Sequence, residues 1–462
     1  MGAFKAYDIR GVYGVDFTAD TVYRIGRELP GLLGAKCVLI GRDARVSSPE
    51  IFSALCRGIT EAGADVDDMG LATTPMVYYF TGAKGYGASV MITASHNPKE
   101  YNGLKISRAG ALPVGQDTGL RELERRIVAA TSPSPSKNNQ DGGGDASATM
   151  GRVLSVAHYR MEYAMFLRER LPSLEGLSFA VDCSNGMGAL VARDVFGAQP
   201  EYLYEVVDGV FPNHSPNPLE EAATLPLRQC VTEKGHDVGV IFDGDADRVM
   251  FVDERGKFVR PDIIIALLAE YYLEREPGSS ILCDIRTSRG VTEDIARRGG
   301  KPVIWKVGHA FAKVKLREVN AIVGGELAGH YYFRDFFCCD AAILCAEIVL
   351  GVIAAARRRG VTFSQLLSSV DCYANTGEMN YTVEKKDEAI AAVKQWAATL
   401  PPPKATYDFD GMRYEWDSWW FNIRQSNTEP YLRLICEAKA VDELNMRRSA
   451  IEAILRPFVL GK

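Results

Sequence analysis

"AKCVLIGRDARVSSPEIFSALCRGITEAGA", residues 35–64, places a short apolar run directly before an amphipathic segment. The apolar run is typical of a buried strand, and the segment after it has the spacing of a helix. A second apolar run, "ASVMIT", follows at residues 88–93. Continuous apolar strands separated by helices predict parallel or mixed sheets that are covered on both faces.

The same order of elements recurs further along the chain. Strand-like runs stand at 177–183, 237–243, 279–284, 302–306 and 320–326. With 462 residues, the chain is too long for a single core. Residues 130–150 are rich in Ser, Pro, Gly and Asn, which predicts a linker or loop at the end of a first domain.

The last part of the chain differs from the earlier blocks, because alternating strands and a C-terminal helix give it α+β character. Boundaries near 253–262 and 368–377 complete the division. We therefore predict an α/β protein with four domains: 1–150, 151–254, 255–369 and 370–462.

Composition excludes several classes of protein. A net charge of −6 argues against wholesale nucleic-acid binding. Ten cysteines without a CxxC pair indicate a reducing compartment, and the N-terminus lacks the apolar segment of a signal peptide. The most apolar segment, 341–360, carries Glu347 and is predicted to be a buried helix instead of a membrane span. We expect a cytoplasmic protein.

The strongest chemical signal is "VIFDGDADRVMFVDE" at 240–254, in which Asp243, Asp245 and Asp247 occupy alternate positions after a strand. Three carboxylates in one turn repel each other unless a cation neutralises them, and carboxylate oxygens suit Mg²⁺. An EF-hand is excluded, because Arg248 stands where the loop needs glycine and the flanks are strand-like. A solvated acidic turn is the remaining alternative.

A candidate phosphate site lies far downstream, in "RQSNTEPYLR" at 424–433. The guanidinium of Arg424, the hydroxyls of Ser426 and Thr428 and the amide of Asn427 suit a dianionic phosphate. The alternative is a turn that caps a helix.

The stretch "VMITASHNPKEYNGLKIS" at 90–107 brings a serine, a histidine and two lysines together after a strand. One interpretation is a helix start, with Asn97 as the cap and Pro98 in the first turn. That interpretation leaves Ser95, His96 and Lys105 unexplained. A serine beside a Mg²⁺ site is suited to carry a phosphoryl group that the metal polarises for transfer.

Four motifs, "TASHNP", "DGDADR", "GGELAGH" and "RQSNTEP", occur in this order and resemble the α-D-phosphohexomutase superfamily. The opening "FKAYDIRG" most resembles the bacterial phosphomannomutase/phosphoglucomutase group. The resemblance implies four domains around a central cleft. Three of them are related α/β domains with mixed sheets, and the C-terminal α+β domain resembles the TATA-binding-protein fold.

The resemblance also implies roles for individual residues. Ser95 becomes the phosphoserine and, with the three aspartates, a ligand of Mg²⁺. The other candidate catalytic residues are Arg10, Lys105, Arg248 and His330. The other candidate substrate-binding residues are Tyr7, Arg286, Gly308, His309, Glu326, Arg424, Ser426, Asn427 and Thr428.

The implied reaction interconverts hexose 1-phosphate and hexose 6-phosphate of mannose, glucose or both, through a bound hexose 1,6-bisphosphate that also serves as activator. The expected partner is the hexose phosphate, without nucleic acid or membrane, and the protein is expected to be a monomer or dimer. Ala328 departs from the family, which usually has serine there, and this leaves the preferred sugar open. The alternatives are a mutase for glucosamine phosphate or another hexose phosphate, and an inactive protein that only binds sugar phosphates.

Overall fold

The computed structural model describes residues 2–129, 150–426 and 431–460. The chain divides into two compact units, one formed by Met1–Val259 with His330–Phe363 and the other by Arg260–Gly329 with Ser364–Lys462. Apart from Met150, the linker predicted at 130–150 lies outside the described residues.

The first unit begins with a mixed sheet in the order β1-β5-β4-β2-β3-β7, with β6 beside β5. Strands β4, β2, β3 and β7 are parallel, whereas β5 is antiparallel to both β4 and β1. Its core contains the apolar runs that the sequence predicted as strands. The elements are β1 (Ile9–Val12), α1 (Ala19–Leu33), β2 (Cys37–Arg42), α2 (Ser48–Glu61), β3 (Asp65–Leu71), α3 (Thr74–Ala83), β4 (Ala88–Ile92), β5 (Tyr101–Arg108), β6 (Leu112–Pro113), α4 (Leu120–Ala129) and β7 (Val153–Ser155).

A second mixed sheet of the first unit has the order β12-β11-β10-β8-β9. Its central strand β10 is buried along its whole length, as the apolar run at 237–243 predicted. The elements are α5 (Tyr159–Arg168), β8 (Phe179–Asp182), α6 (Ala189–Phe196), β9 (Glu201–Leu203), α7 (Glu221–Lys234), β10 (Val238–Phe242), β11 (Val249–Asp253) and β12 (Phe258–Val259).

The second unit starts with three parallel strands, of which β13 lies between β14 and β15. Helices alternate with these strands, as expected for an α/β arrangement. The elements are α8 (Pro261–Leu273), β13 (Ser280–Asp284), α9 (Arg289–Arg297), β14 (Lys301–Trp305), α10 (His309–Glu318) and β15 (Val323–Gly325).

The chain then returns to the first unit with the antiparallel pair β16 (Tyr331–Phe333) and β17 (Cys339–Asp340), followed by helix α11 (Ala342–Arg358). Glu347 and its apolar neighbours on α11 are buried, so the prediction of a buried helix is confirmed. Within the described ranges, no helix is both long and apolar enough to cross a membrane.

The last part of the second unit is an antiparallel sheet in the order β18-β23-β22-β21-β20, with β19 also pairing with β23. Helices α13 and α14 contribute buried side chains to the same core, and this α+β character confirms the prediction. The elements are α12 (Phe363–Leu367), β18 (Ala374–Asn375), β19 (Met379–Thr382), α13 (Lys386–Ala397), β20 (Ala405–Tyr407), β21 (Met412–Glu415), β22 (Trp419–Gln425), β23 (Tyr431–Ala438) and α14 (Val441–Leu455).

Candidate active site

Ser95 lies on a tight loop that leaves the carboxyl end of β4 and returns as β5. Its backbone φ of +52° is in the left-handed region, and the hydroxyl of Thr93 accepts the Ser95 N–H at 2.9 Å. The loop leads into β5 at Tyr101 with no helix, so the alternative of a helix start at Asn97 is wrong. The Asn97 side chain instead accepts a hydrogen bond from Arg10.

The three aspartates lie on the loop between β10 and β11, and this loop meets the Ser95 loop directly. The Ser95 hydroxyl donates to Asp243 Oδ2 at 2.9 Å. Gly244 permits this approach, because a Cβ at that position would lie 2.5 Å from the Ser95 carbonyl oxygen. The sequence predicted that serine and aspartates share a site, and the structure brings them together.

The backbone and α3 hold the acidic loop in place. Asp243 Oδ1 accepts the N–H groups of Asp247 and Arg248 at 3.1 and 3.2 Å. Thr74, the first residue of α3, donates its hydroxyl to Asp245 Oδ2 at 2.5 Å. These hydrogen bonds fix the side chains of Asp243 and Asp245.

Lys105, on β5, provides the nearest positive charge to the aspartates. Its Nζ lies 2.6 Å from Asp245 Oδ2 and 2.5 Å from Asp247 Oδ2. Burial opposes the charge of Lys105, but these two carboxylates outweigh it and raise its pKa above the ordinary value. For Asp243, burial and then the charges of Asp247 and Asp245 raise the pKa well above its usual range. One ammonium group therefore does not neutralise all three carboxylates.

The carboxylate cluster has the properties of a site for a hard divalent cation. One oxygen of each aspartate lies within 4.8 Å of the others, and all three side chains are buried. Asp245 Oδ1 and Asp247 Oδ1 are buried without a hydrogen-bond partner among the described residues. Buried carboxylate oxygens normally have partners, so a cation with oxygen ligands fits here.

Two arginines and a histidine surround this cluster. Arg10 extends from β1 and donates to Asn97 Oδ1 at 2.8 Å. Arg248 Nε donates to His330 Nε2 at 3.0 Å and lies 3.9 Å from Asp243 Oδ2. His330 Nε2 therefore carries a lone pair, and the imidazole is held beside the acidic loop.

His96 follows Ser95, and its imidazole lies beside the Ser95 hydroxyl. Its Nδ1 lies 3.3 Å from the Ser95 Oγ. Burial, and then the charges of Arg248 and Arg10, lower the pKa of His96 well below its usual range. A neutral imidazole therefore faces the serine at neutral pH.

Sequence analysis missed two residues that build this part of the site. Arg45, just after β2, is buried and donates to the carbonyls of Ser95 and Asn97 at 2.8 and 2.7 Å. Asp340 of β17 lies 2.9 Å from His330 Nδ1. Arg45 was detectable as a charged residue at the carboxyl end of a parallel strand, whereas no local signal distinguishes Asp340.

In the second unit, residues at the carboxyl ends of the three parallel strands β13, β14 and β15 converge. Glu326, following β15, accepts the Gly308 N–H at 2.8 Å. Asp284, at the end of β13, forms an ion pair with Arg286 at 2.7 Å and accepts the Leu327 N–H at 2.7 Å. The predicted residues Glu326, Gly308 and Arg286 thus belong to one group, and Asp284 is a further residue that the sequence analysis did not name.

The remaining predicted residues lie as follows. His309 begins α10, Tyr7 lies just before β1, and both are half-buried. Arg424 lies near the end of β22, where it is 2% exposed, and Ser426 follows that strand. Asn427 and Thr428 lie outside the described residues, so the alternative of a helix cap there also stays open.

Comparisons with known proteins cover nearly the whole chain. Models of phosphoglucomutase/phosphomannomutase alpha/beta/alpha domains I, II and III match residues 1–133, 162–256 and 260–373, and the C-terminal domain model matches 378–453. A phosphomannomutase of Salmonella montevideo is 35% identical over 448 residues, with 95% of each chain covered. A phosphomannomutase/phosphoglucomutase of Pseudomonas aeruginosa is 34% identical, with 96% of this chain and 92% of the relative covered.

A solved structure gives the same result. A phosphoglucomutase/phosphomannomutase family protein from Burkholderia thailandensis superposes with a TM-score of 0.86 and 29% identity, covering 98% of this chain and 97% of the other. The resemblance that the four sequence motifs indicated is confirmed. The chain belongs to the phosphoglucomutase/phosphomannomutase family.

Proposed function

We propose that this protein interconverts hexose 1-phosphate and hexose 6-phosphate of mannose, glucose or both, with Ser95 carrying the phosphoryl group that is transferred. The observation that supports this most directly is the 2.9 Å hydrogen bond from the Ser95 hydroxyl to Asp243. It joins a left-handed loop of the first sheet to the acidic loop of the second, inside a family whose curated relatives are named phosphomannomutases.

In the proposed transfer, a sugar hydroxyl oxygen attacks the phosphorus held on Ser95, the bond from phosphorus to Oγ breaks, and the hydroxyl proton passes through the candidate acid/base to Oγ. Mg²⁺ held by Ser95, Asp243, Asp245 and Asp247 would supply Lewis-acid stabilisation of the phosphoryl oxygens. Arg248 and Arg10 lie close enough to the acidic loop to stabilise charge on the transferred group.

Lys105 and His330 differ in the roles that the geometry supports. Lys105 is paired with two carboxylates that raise its pKa, so it suits stabilisation of negative charge. His330 lies beside the acidic loop, and we assign it as the candidate acid/base. Its Nε2 becomes able to take a proton when Arg248, which donates to it, turns to the transferred phosphoryl group.

The product of the first transfer is a hexose 1,6-bisphosphate, which must turn so that its other phosphate is returned to Ser95. Whichever phosphate is not reacting then needs an anion site, which we assign to Arg286, Arg424, Ser426, Asn427 and Thr428. Glu326, with Gly308 and His309 beside it, is assigned to the sugar and its phosphate. Added bisphosphate acts as activator, because it restores the phosphate to any Ser95 that has lost it.

Intact-protein mass spectrometry tests the covalent step. Purified protein is expected to carry one phosphate, which Ser95→Ala abolishes together with mutase activity. Ser89→Ala is the matched control, because Ser89 is a buried serine on β4 whose hydroxyl accepts a hydrogen bond from Thr81, away from the acidic loop. Full activity of Ser95→Ala in the presence of bisphosphate would contradict the proposal.

A second experiment addresses the sugar. A coupled assay compares kcat/KM for mannose 1-phosphate, glucose 1-phosphate and glucosamine 1-phosphate. We expect both mannose and glucose compounds to react, because these sugars differ only at C2. A clear preference for the glucosamine compound would overturn this part of the proposal.

A further inference from the structure

Three arginines of the second unit surround one carboxylate, and we call this group the arginine cluster: Arg286, Arg424, Arg433 and Glu378. Glu378 lies 3.3 Å from Arg286 Nη1, 3.3 Å from Arg424 Nη2 and 2.8 Å from Arg433 Nη1. Arg424 and Arg433 face each other across β22 and β23. Arg286 follows β13, and Glu378 directly precedes β19. Nonlocal packing therefore creates the cluster.

The carboxylate of Glu378 is charged under all ordinary conditions. Burial would raise its pKa, but the charges of Arg286, Arg424 and Arg433 together outweigh burial and lower the pKa to about 2. Asp284 also pairs with Arg286 at 2.7 Å, and Asp410 lies 3.9 Å from Arg424, so the charge of Glu378 brings the cluster close to neutrality. Removing that charge would leave a positive excess, which favours the binding of an anion.

The guanidinium of Arg424 is not fully hydrogen-bonded by the described residues. Its Nε is buried without a hydrogen-bond partner among the described residues. Its contacts to Glu378 and to the Gln425 carbonyl measure 3.3 and 3.5 Å, whereas charge-assisted hydrogen bonds are normally about 2.7–2.9 Å. Asp410 lies further away, at 3.9 Å. A phosphate oxygen would bind this guanidinium more strongly than its present partners do.

We infer that Glu378 is a resident counter-ion of the phosphate site, which weakens phosphate binding enough for the bisphosphate to leave the arginine cluster and turn round. This inference rests on the proposed function, in which either phosphate of the intermediate must be released before the second transfer. Without the charge of Glu378, the arginines would outnumber the carboxylates that balance them, and a bound dianion would dissociate more slowly. With Glu378 present, the bound phosphate is repelled by a neighbouring carboxylate, and the empty site keeps a partner for its arginines.

A purely structural role for Glu378 predicts the opposite result. If the carboxylate only held the arginines in position, its removal would disorder them and weaken phosphate binding. Glu378→Gln keeps the size of the side chain and one acceptor oxygen but removes its charge. The direction of the change in phosphate affinity therefore separates the two roles.

The experiment measures binding of inorganic phosphate by calorimetry to the full-length Ser95→Ala protein, with and without Glu378→Gln. We expect Glu378→Gln to lower the dissociation constant about tenfold or more, because a like charge beside the ligand has been removed. Glu415→Gln is the matched control. Glu415 pairs with Arg413 at 2.7 Å in the same unit but outside the cluster, so phosphate affinity is expected to stay unchanged.

Steady-state kinetics give an independent readout in the protein with Ser95 intact. Glu378→Gln is expected to lower KM and kcat together and to reduce the fraction of bisphosphate released during turnover. If Glu378→Gln does not fold, Glu378→Asp keeps the charge on a shorter side chain, and it is expected to bind phosphate like the parent protein. Much weaker binding by Glu378→Asp would instead indicate a structural role.

The outcomes distinguish this inference from the proposed function. Unchanged or weaker phosphate binding by Glu378→Gln, in a protein whose parent binds phosphate through Arg424, overturns the inference alone. If phosphate does not bind, or if Arg424→Met leaves its binding unchanged, the assignment of the phosphate site is wrong and the inference falls with it.

Discussion

Arg45 provides the sharpest test of how the structure builds the Ser95 loop. The side chain is 1% exposed, and its two terminal nitrogens donate to four carbonyl oxygens of the loop. Its Nε also donates to Asp43 at 3.0 Å. We expect Arg45→Met to release the loop and to leave the carboxylate of Asp43 buried without its cation.

The size of the effect follows from these contacts. Breaking a buried ion pair by removing one partner costs about 3–5 kcal/mol. About 1 kcal/mol shifts the Tm of a domain of 150–250 residues by roughly 2–4 °C, and by less in a larger unit such as the one that contains Arg45, so we expect a fall of roughly several degrees. Activity should fall further than stability alone requires, because a displacement of about 1 Å at a reacting group can reduce the rate by roughly 100-fold.

Calorimetric melting and mutase kinetics measure the two effects separately. The double variant Asp43→Asn with Arg45→Met should recover part of the Tm, because the orphaned carboxylate is gone, but it should not recover kcat. Arg57→Met is the matched control, because Arg57 lies on the exposed face of α2, over the ring of Tyr23. An Arg45→Met protein that has the Tm and kcat of the wild type would refute the argument.

Three further predictions concern other parts of the chain. Burial raises the pKa of Glu347 well above its usual range. The folded protein therefore retains a proton that the unfolded chain releases, and the free energy of unfolding falls as the pH rises above about 4.5. Glu347→Leu should therefore raise the Tm more at pH 8 than at pH 5, and an equal gain at both would contradict this. Mg²⁺ at one hundred times its dissociation constant should stabilise the wild-type protein by about 2.7 kcal/mol and so raise its Tm. Asp243→Asn should remove this increase in Tm. An increase that survives in the variant would show that the metal binds elsewhere. Asp340→Asn should lower kcat about 10- to 100-fold with little change in KM, because the carboxylate beside His330 has lost its charge. An unchanged kcat would show that Asp340 does not position the imidazole.

Most of the local features of the fold were predicted from the sequence. The runs at 35–43, 88–93 and 237–243 all contain buried strands, because continuous apolar residues can be covered only inside a sheet packed on both faces. The alternative of a helix start at Asn97 is wrong for a local reason as well. The chain turns into β5, which is fixed by pairing with β4 and β1, and this pairing overrides the capping residues.

The chemistry of the site was predictable in part. The alternating aspartates and the residue types around Ser95 indicated a cation and a phosphoryl group, because few other arrangements stabilise three adjacent carboxylates. Of the partners of those residues, only Arg45 could have been found from the sequence, because it follows a parallel strand. Asp340 and Glu378 are single charged residues in segments without a motif, and only their neighbours in space give them a role.

The sequence by itself determined the types of element, their order and the chemical groups available at the ends of strands, because these depend on neighbours a few residues apart. Only the tertiary structure decided that Ser95 meets Asp243, which lies 148 positions away, and that three arginines surround Glu378. Such contacts depend on which sheet edges pack together. Each contact contributes little free energy compared with the burial of whole helices and strands, which decides how the elements pack. No periodic pattern in the sequence predicts such a contact.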